Sequence, residues 1–377
     1  MITTKQLIWK NSKEGWQTKT NNTIKPKLGL IFTSRLIFEK DGLKAIENLK
    51  KSYPNTTFVT ATSAGNIVDT EVHYNVITLT LIEFEKTELE IKSFSIPKDK
   101  HTDFGKQISE SFVKDKLKLL FLLSTSSINA GHLVNGINEG FNKSVIVTGG
   151  VAGDGERFEK TLVGIDKKVK TDNVVAIGLY SDSLEVSFGS KGGWVPFGPP
   201  RIITKAKQNE LFEIDGKPAL SLYKEYLGNK AKDLPSSALL FPIGLIENEQ
   251  NDYVIRGIQN INEKNNSIIL YSDVQENQEI RLMRANHTAL IDGAGESAQD
   301  TLSTGIKPQL SILVSCIARH LVLGQLIEEE IEEIRDVVGD KTDICGFYSY
   351  SEFSPLKGET SCALHNQTMT ITSLSEK

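Results

Sequence analysis

The chain has 377 residues, a formal net charge of −5, 39% hydrophobic residues and 24% charged residues. These values are typical of a globular protein of two or three domains, and they argue against a nucleic-acid partner, which would need Lys and Arg clustered on one face. The N-terminus lacks the apolar core of a signal peptide, and the longest apolar runs, at 117–123 and 310–317, are too short to span a membrane. Three cysteines without a C-x-x-C pair favour reduced thiols over disulfides or structural zinc. We therefore expect a cytoplasmic protein with no nucleic-acid partner and no membrane insertion.

In chain order, the first recurring feature is a unit of strand, helix and strand that occurs three times. The units begin with apolar strands at 28–32, 119–123 and 311–315. A helix with apolar residues at helical spacing follows each strand, most clearly in the third unit, which has Leu323, Ile327, Ile331 and Ile334. Units of this kind predict parallel strand pairs with right-handed crossovers.

The second strands of these units end in turns of small, polar or aromatic residues, at 61–65, 149–155 and 346–352. Sheets built from such units bind ligands beyond the carboxyl ends of their strands. We therefore expect the three turns to converge and to form the binding site.

Alternating segments between the units are typical of antiparallel strands. Residues 77–81 and 89–92 flank a charged turn and predict one hairpin, and residues 174–180 and 184–188 predict another. The Gly- and Pro-rich segment 192–200 is expected to break regular structure. The predicted fold class is therefore mixed α/β, with two joined halves and with parallel and antiparallel sheets flanked by helices.

An acidic run at 328–333 accompanies the isoleucine stripe of the third unit. We interpret these glutamates as the solvated face of the helix, opposite the isoleucines, and not as a metal site. No metal site is predicted elsewhere in the chain.

Short motifs of small, aromatic and charged residues follow one another along almost the whole chain. The N-terminal motifs are T-S-A-G at 62–65, G-G-V-A-G-D-G at 149–155 with Phe158, G-W-V-P at 193–196, I-D-G-K-P-A at 214–219 and Y-K-E-Y-L-G at 223–228. The C-terminal motifs are C-I-A-R at 316–319, G-F-Y-S-Y-S-E at 346–352 and L-H-N-Q-T at 364–368. In this order and spacing they resemble the FIST family of intracellular sensory proteins. The resemblance places a FIST N-terminal domain at 28–218 and a FIST C-terminal domain at 219–373.

The resemblance implies a sensor that binds a small ligand, with amino-acid-like molecules among the classes, and that is not an enzyme. For some bacterial members it implies a haem-containing nitric oxide sensor that regulates a histidine kinase or a cyclic-di-GMP enzyme. Two features depart from the family pattern: Ser351 stands where the pattern has glycine, and the chain ends at Lys377 without a kinase, cyclase or chemoreceptor module. If the family role holds, a separate signalling protein carries the output.

Nine residues in these motifs are candidates for ligand binding: Ser63, Gly150, Asp154, Trp194, Cys316, Arg319, Tyr348, Glu352 and Asn366. Gly150 and Asp154 belong to a turn that matches neither G-x-G-x-x-G nor the P-loop, so close approach of the backbone to a ligand or a strand is favoured over phosphate binding. Trp194 either packs into the core or covers a pocket as a lid. Asn366, next to His365, could donate to a ligand or cap a turn.

The strand-to-helix junction at Cys316 leaves several alternatives open. Arg319 could present its guanidinium fork to a ligand carboxylate, or form an internal salt bridge with Glu352 or another acid. Cys316 could be a small core residue, or a nucleophile coupled to His320 in a thiol-dependent enzyme. Glu352 beside Tyr348 and Tyr350 would suit a cationic or amino group, unless the tyrosines pack in a half-buried strand and the glutamate faces water.

The cofactor is left open by the sequence. The chain has six histidines and no C-x-x-C-H attachment motif, so any of these histidines could be an axial haem ligand and none is selected.

Overall fold

The computed structural model describes residues 1–20, 22–246 and 253–377 of the chain. In those residues the α-helices are α1 Arg35–Ile37, α2 Leu43–Ser52, α3 His101–Glu110, α4 Ala130–Phe141, α5 Ala219–Leu227, α6 His287–Leu302, α7 Ile317–Leu323 and α8 Glu329–Val338. A π-helical turn, Phe38–Gly42, joins α1 to α2, and 3-10 turns lie at Gly228–Asp233, Ser236–Leu240 and Gly324–Leu326.

The strands of the N-terminal part are β1 Ile2–Trp9, β2 Trp16–Thr18, β3 Leu28–Thr33, β4 Thr57–Thr62, β5 Asn66–Val68, β6 Glu71–His73, β7 Ile77–Phe84, β8 Glu88–Ser95, β9 Leu117–Ser124, β10 Ile146–Val151, β11 Val163–Ile165, β12 Lys168–Lys170, β13 Asn173–Tyr180, β14 Leu184–Lys191, β15 Val195–Lys207, β16 Glu210–Ile214 and β17 Lys217–Pro218. Those of the C-terminal part are β18 Ile243–Ile246, β19 Tyr253–Arg256, β20 Ile258–Asn262, β21 Ser267–Leu270, β22 Glu279–Arg284, β23 Leu310–Cys316, β24 Asp343–Ser349, β25 Ser351–Pro355, β26 Cys362–His365 and β27 Met369–Glu376.

Three sheets each contain one of the predicted parallel pairs. Sheet I has the strand order β12-β11-β4-β3-β7-β1-β2, sheet II has β26-β25-β10-β9-β13-β8, and sheet III has β14-β27-β23-β24-β5-β6. The pairs β3/β4, β9/β10 and β23/β24 are parallel, and the other pairs described in these sheets are antiparallel. The mixed α/β fold class and the three strand–helix–strand units are therefore confirmed.

The three sheets pack around one common core. A single cluster of buried apolar side chains includes Phe32 from sheet I, Phe121 from sheet II and Phe347 from sheet III. The rings of Phe32 and Phe347 stack with their centroids 4.6 Å apart. Burial of each such ring stabilises the fold by roughly 1.5–3 kcal/mol, so the core fixes the sheets against one another.

Helices cover the outer faces of the same sheets. Ile46 and Leu49 of α2 pack on sheet I, Ile137 of α4 packs on sheet II, and Ile331 and Ile334 of α8 pack on sheet III. These positions recur at helical spacing, which puts each apolar stripe on one side of its helix. The arrangement leaves the turns at the carboxyl ends of the parallel strands uncovered by these helices.

A fourth sheet, sheet IV, has the order β19-β18-β22-β15-β16-β21-β20, with β17 paired to β16. It packs against α5 around a separate core that includes Leu220 and Tyr223. The two sequence halves exchange strands, because β5, β6 and β14 lie in sheet III while β25 and β26 lie in sheet II. The halves are joined by shared sheets and not only by a linker.

Both predicted hairpins are wrong in their pairing, although all four strands exist. Strand β7 pairs with β1 and β3 in sheet I, whereas β8 pairs with β13 in sheet II. Strand β13 pairs with β8 and β9 in sheet II, whereas β14 pairs with β27 in sheet III. Alternation in the sequence shows that a segment is extended, but a short turn can also carry the chain from one sheet to the next.

The segment 192–200 is partly regular, which differs from the prediction. Strand β15 begins at Val195 and pairs with β22, and its register shifts between Phe197 and Arg201. A bulge therefore accommodates the Gly and Pro residues without ending the strand. In the described ranges, every helix is too short or too polar to cross a lipid bilayer.

Candidate functional site

The three predicted turns meet at one end of the three-sheet core. The N–H of Ala64 donates to the Tyr348 carbonyl at 2.8 Å, and the N–H of Tyr348 donates to the Gly65 carbonyl at 2.8 Å. The N–H of Tyr350 donates to the Val151 carbonyl at 3.0 Å. The turns after β4, β10 and β24 are thus held together by backbone hydrogen bonds, as the sequence predicted.

A cleft of about 250 Å³ opens at this meeting point, and we call it the first cleft. Residues from the turns after β3, β4, β6 and β10, from β5 and from α7 line it, among them Ser34, Ser63, Asn66, Tyr74, Arg157 and His320. The Ser63 hydroxyl donates to the Asn66 side-chain oxygen. Because His320 belongs to the C-terminal part, both parts of the chain contribute to the first cleft.

Asp154 organises the charged side of the first cleft from beneath. Its buried carboxylate accepts hydrogen bonds from Arg35 Nε at 3.0 Å and from Arg157 Nε and Nη2 at 3.0 and 2.8 Å. Burial would raise the pKa of Asp154, but the hydrogen bonds from Arg157 and Arg35 outweigh it and hold that pKa below its ordinary value. Arg157 lines the cleft, and its Nη1 has no hydrogen-bond partner in the described part of the chain. Asp154 therefore positions the Arg157 guanidinium, whose Nη1 can still donate a hydrogen bond to a ligand.

His320 and Tyr74 form the aromatic side of the first cleft. The Tyr74 hydroxyl lies 3.0 Å from His320 Nε2, and the two rings stack with centroids 5.3 Å apart. Burial lowers the pKa of His320 and raises the pKa of Tyr74 to about 12, so both groups are uncharged at neutral pH. His320 Nδ1 and the Ser34 hydroxyl are buried without partners in the described residues, which favours a bound molecule or water beside them.

Arg319 lies in an internal ion pair, the second of the alternatives that the sequence left open, and its partner is Glu330. Its Nε and Nη2 donate to Glu330 Oε2 at 3.0 and 2.7 Å, Nη1 donates to the Gly192 carbonyl at 2.6 Å, and Nη2 also donates to the Leu290 carbonyl at 2.7 Å. The Tyr348 hydroxyl donates to Glu330 Oε1 at 2.7 Å. Arg319 and Tyr348 thus direct their polar atoms into the protein.

The interpretation of the acidic run as a solvated face is wrong for Glu330, whose side chain is fully buried. Position 330 lies three residues after Ile327 and four before Ile334, so it shares the face of the isoleucine stripe. A buried carboxylate is tolerated there because Arg319 neutralises it.

Glu352 and Cys316 form a separate buried polar cluster. Glu352 accepts hydrogen bonds from the Ser349 hydroxyl at 2.7 Å and from the Thr368 hydroxyl and N–H at 2.9 and 3.2 Å, and the Cys316 thiol also bonds to it. Burial raises the pKa of Glu352 to about 8. Burial, and then the charge of Glu352, raise the pKa of Cys316 well above its ordinary value, which disfavours the thiolate. No hydrogen bond in the described residues joins Cys316 to His320.

The remaining predicted residues have structural contacts. A Cβ on Gly150 would lie 2.7 Å from Val314 Cγ1, so Gly150 permits close approach of two strands. Asn366 Nδ2 donates to the Ser351 hydroxyl at 3.1 Å, and Ser351 itself lies in β25 without a positive φ. Trp194 is 6% exposed and its Nε1 donates to the Gln367 carbonyl at 2.7 Å, which matches packing into the protein.

Of the nine predicted residues, Ser63 lines the first cleft and Asp154 and Tyr348 support it from below. Sequence reasoning missed Tyr74 and Arg157. Arg157 stands three residues after Asp154 at the end of the glycine-rich motif, which was an available signal for an acid–base pair. Tyr74 follows a three-residue strand and gave no signal.

Similar chains in mycobacteria match part of this sequence. Uncharacterized protein Rv0628c of Mycobacterium tuberculosis is 26% identical over 239 residues, which is 60% of this chain and 60% of that protein. Uncharacterized protein Mb0898c of Mycobacterium bovis is 25% identical over 254 residues, which is 60% of this chain and 59% of that protein. The chain thus spans about three fifths of the length of the curated relatives it matches.

Among solved structures, the crystal structure of cyanuric acid hydrolase from A. caulinodans aligns with 100% of this chain and 99% of its own, at 6% identity and a TM-score of 0.39. A second cyanuric acid hydrolase aligns over 100% of both chains at 9% identity and a TM-score of 0.33. Scores at this level do not establish a shared fold.

Family models match nearly all of the chain in two consecutive segments. The FIST N domain matches residues 27–217 and the FIST C domain matches residues 219–355. Both segments contribute to the first cleft, through Arg157 and His320 respectively. The chain therefore belongs to the FIST family of signalling sensor domains.

Proposed function

We propose that this protein is a cytoplasmic sensor that binds a small amino-acid-like ligand in the first cleft and signals to a separate protein. The observation that carries the proposal is the pair of opposite charges at the cleft. Arg157 offers a guanidinium nitrogen without a partner among the described residues, and the exposed carboxylate of Glu156 lies in the same lining. A zwitterion presents a carboxylate that can accept from Arg157 Nη1 and an ammonium that can pair with the acid, so these two residues match its two ends.

The size and the unpartnered atoms of the first cleft support a small ligand. Its volume of about 250 Å³ lies just below the range of about 300–1,000 Å³ that is usual for drug-sized molecules. The Ser34 hydroxyl and His320 Nδ1, which have no partner in the part of the chain that the structure describes, supply further polar contacts.

A path from the first cleft into the protein supports a role in signalling. The rings of His320 and Tyr348 lie 5.6 Å apart, and Tyr348 bonds to Glu330 of the buried ion pair. A ligand that bonds to His320 in one arrangement of these side chains shifts the population toward that arrangement. A partner such as a histidine kinase or a cyclic-di-GMP enzyme would respond to the surface that this arrangement presents.

Calorimetric titration with a panel of free L-amino acids tests the proposal, using the wild type and two variants. Arg157→Gln removes the guanidinium and is expected to weaken binding about tenfold, because a charge-assisted hydrogen bond is lost. Lys160→Gln is the matched control, because it removes a positive charge from the same loop outside the cleft lining and should bind as the wild type does. Equal binding by wild type and Arg157→Gln would contradict the proposal.

Haem does not fit the first cleft. An axial histidine needs a free ring nitrogen above an apolar slot, but the ring of His320, whose Nδ1 is without a partner in the described residues, stacks on Tyr74 in a polar cleft. His365 has Nε2 2.9 Å from the Ser354 carbonyl. The polar first cleft of about 250 Å³ is also small for a porphyrin. The proposal therefore includes no haem chemistry, and a purified protein without a Soret band is the expected result.

The proposal also contains no catalytic step at Cys316. The thiol is buried, its pKa is raised, and its side-chain partner is Glu352. A thiol-dependent enzyme would need an accessible thiolate activated by a base or a cation.

A further inference from the structure

A second cleft of about 350 Å³ lies where the end of β14, strands β19 and β22, helix α6 and the turn between β26 and β27 come together. We call it the second cleft. It shares no lining residue with the first cleft, and its floor includes the buried side chains Trp194, Ile255, Met283, His365 and Thr368. The proposed function does not involve this cleft.

The hydrogen-bond donors in the floor of the second cleft are already used. Trp194 Nε1 donates to the Gln367 carbonyl at 2.7 Å. The Thr368 hydroxyl donates to the buried carboxyl of Glu352 at 2.9 Å. Both groups therefore bind within the protein and do not offer their protons to the cleft.

His365 adds to the same floor an acceptor that has no partner among residues 1–20, 22–246 and 253–377. It is 4% exposed, and its Nε2 lies 2.9 Å from the Ser354 carbonyl. A carbonyl only accepts, so Nε2 carries the proton and Nδ1 keeps its lone pair. Burial, and to a smaller extent the positive charge of Arg256, lower the pKa of His365 to about 4, which keeps the ring neutral at neutral pH. Within the described residues, no donor reaches Nδ1.

The walls of the second cleft add two carboxylates, Glu296 of α6 and Glu359 of the loop after β25. The aromatic rings of Trp194 and Tyr253 also line it. A ligand cation gains from both kinds of wall, through ion pairing and through the faces of the rings.

Two lysines also line the second cleft and must be weighed. Lys357 lies 2.6 Å from Asp300, so a protein carboxylate offsets its charge. Lys191 lies at the end of β14, on the side of the cleft that Ser190 and Gly192 also line. Neither lysine changes the floor, where an acceptor is available and the donors are used.

We propose that the second cleft is a binding site for a small organic cation, with a primary ammonium directed at His365 and the acidic wall, and with an apolar or aromatic body against Tyr253 and Trp194. The ammonium supplies the donors that this floor lacks. The apolar body covers the half-buried side chain of Tyr253 and removes part of its surface from water.

Three probes of one shape and different charge test this proposal: benzylammonium, benzyl alcohol and benzoate. Binding is followed by tryptophan fluorescence and by saturation-transfer NMR. The expected order is benzylammonium first, benzyl alcohol about tenfold weaker, and benzoate weakest. The Trp194→Phe variant should lose the fluorescence change, because Trp9 and Trp16 lie in sheet I and do not line this cleft.

Variants then locate the contact. Glu296→Gln should weaken benzylammonium about threefold, since one exposed carboxylate is lost, and Asp292→Asn on the same helix should leave it unchanged. His365→Phe should weaken it about tenfold, but this buried substitution also leaves the Ser354 carbonyl unpaired, so Glu296→Gln decides the result if His365→Phe does not fold. Arg157→Gln should bind benzylammonium as the wild type does, which separates this site from the first cleft.

The proposal is overturned if benzoate binds as tightly as benzylammonium, or if no probe binds up to about 10 mM. It is also overturned if Glu296→Gln leaves the affinity for benzylammonium unchanged, or if the fluorescence change persists in Trp194→Phe.

Discussion

Two arginine–carboxylate clusters in this protein use the same chemistry in different surroundings. Arg319 and Glu330 are both fully buried, and the guanidinium also donates to two backbone carbonyls. Asp154 is equally buried, but Arg157, which it holds, has a side chain 36% exposed and a nitrogen without a partner in the described residues. The Arg319–Glu330 cluster is complete, because each guanidinium nitrogen of Arg319 donates to an acceptor within the protein. The Asp154–Arg157 cluster is incomplete, because Arg157 Nη1 remains as a donor at the first cleft.

This difference shows why an arginine near a predicted site is weak evidence for ligand binding. Arg319 stands in a family motif at a strand-to-helix junction, and Arg157 follows another motif. What separates them is the number of donors that remain after the protein has used its own acceptors. A ligand site needs unused donors or acceptors, because those already paired inside a protein cost free energy to release.

The largest expected effect is on stability and comes from breaking the buried pair. Arg319→Met leaves the Glu330 carboxylate buried without a cation, and we expect the free energy of unfolding to fall by about 3–5 kcal/mol. Urea denaturation measures this change. The double variant Arg319→Met/Glu330→Leu should recover most of the loss, because it removes both charges and fills the volume.

The matched control for this test is Arg201→Met. Arg201 pairs with Asp215 at 2.8 Å, but both side chains are about one third exposed. Its loss should cost no more than about 1 kcal/mol. If Arg319→Met lowered the free energy of unfolding no more than Arg201→Met does, burial of the Arg319–Glu330 pair would not contribute to stability as proposed.

A second prediction concerns Glu352, a buried acid with no cation beside it in the described residues, in contrast to Glu330. Its pKa is raised by burial from 4.5 to about 8, so the native state holds the proton over a pH range in which the unfolded chain has released it. The unfolded state then binds fewer protons, and stability falls as pH rises. The contribution is complete below about pH 4.5 and is lost as pH rises through about 8.

The measurement is the free energy of unfolding of wild type and Glu352→Gln between about pH 5 and pH 8. The wild type should lose about 3 kcal/mol more than the variant over this interval. Glu210→Gln is the control, because hydrogen bonding from Ser267 lowers the pKa of Glu210 and places its titration below this interval. Parallel curves for wild type and Glu352→Gln would show that Glu352 is ionised throughout.

Much of the fold could be predicted because it depends on local pattern. Apolar strands, helical stripes and polar turns are visible in the sequence, and they located the three units and the meeting of their turns. The partners of the strands between the units could not be predicted, because pairing depends on contacts between distant segments. Strand β14, for example, pairs with β27 at the far end of the chain.

The site was predicted less completely for the same reason. Ser63 and Asp154 lie in turns whose position follows from the sheet, so the sequence placed them correctly. The burial of Glu330 could have been inferred from its spacing to Ile327 and Ile334. The stacking of Tyr74 on His320 joins residues 246 positions apart, and no local pattern indicates it.

The smallest expected effect concerns the aromatic side of the first cleft and tests whether it contributes to ligand affinity. Tyr74→Phe keeps the ring stacked on His320 and removes only the hydroxyl 3.0 Å from Nε2. We expect a loss of about 1 kcal/mol in the free energy of unfolding and a weaker change in ligand affinity than Arg157→Gln gives.

Tyr180→Phe, which removes a hydroxyl bonded to Glu90 away from the cleft, should leave ligand affinity unchanged. If Tyr74→Phe and Tyr180→Phe had the same effect on affinity, the aromatic side of the first cleft would be a structural element, and the ligand would contact only the side that Asp154 organises.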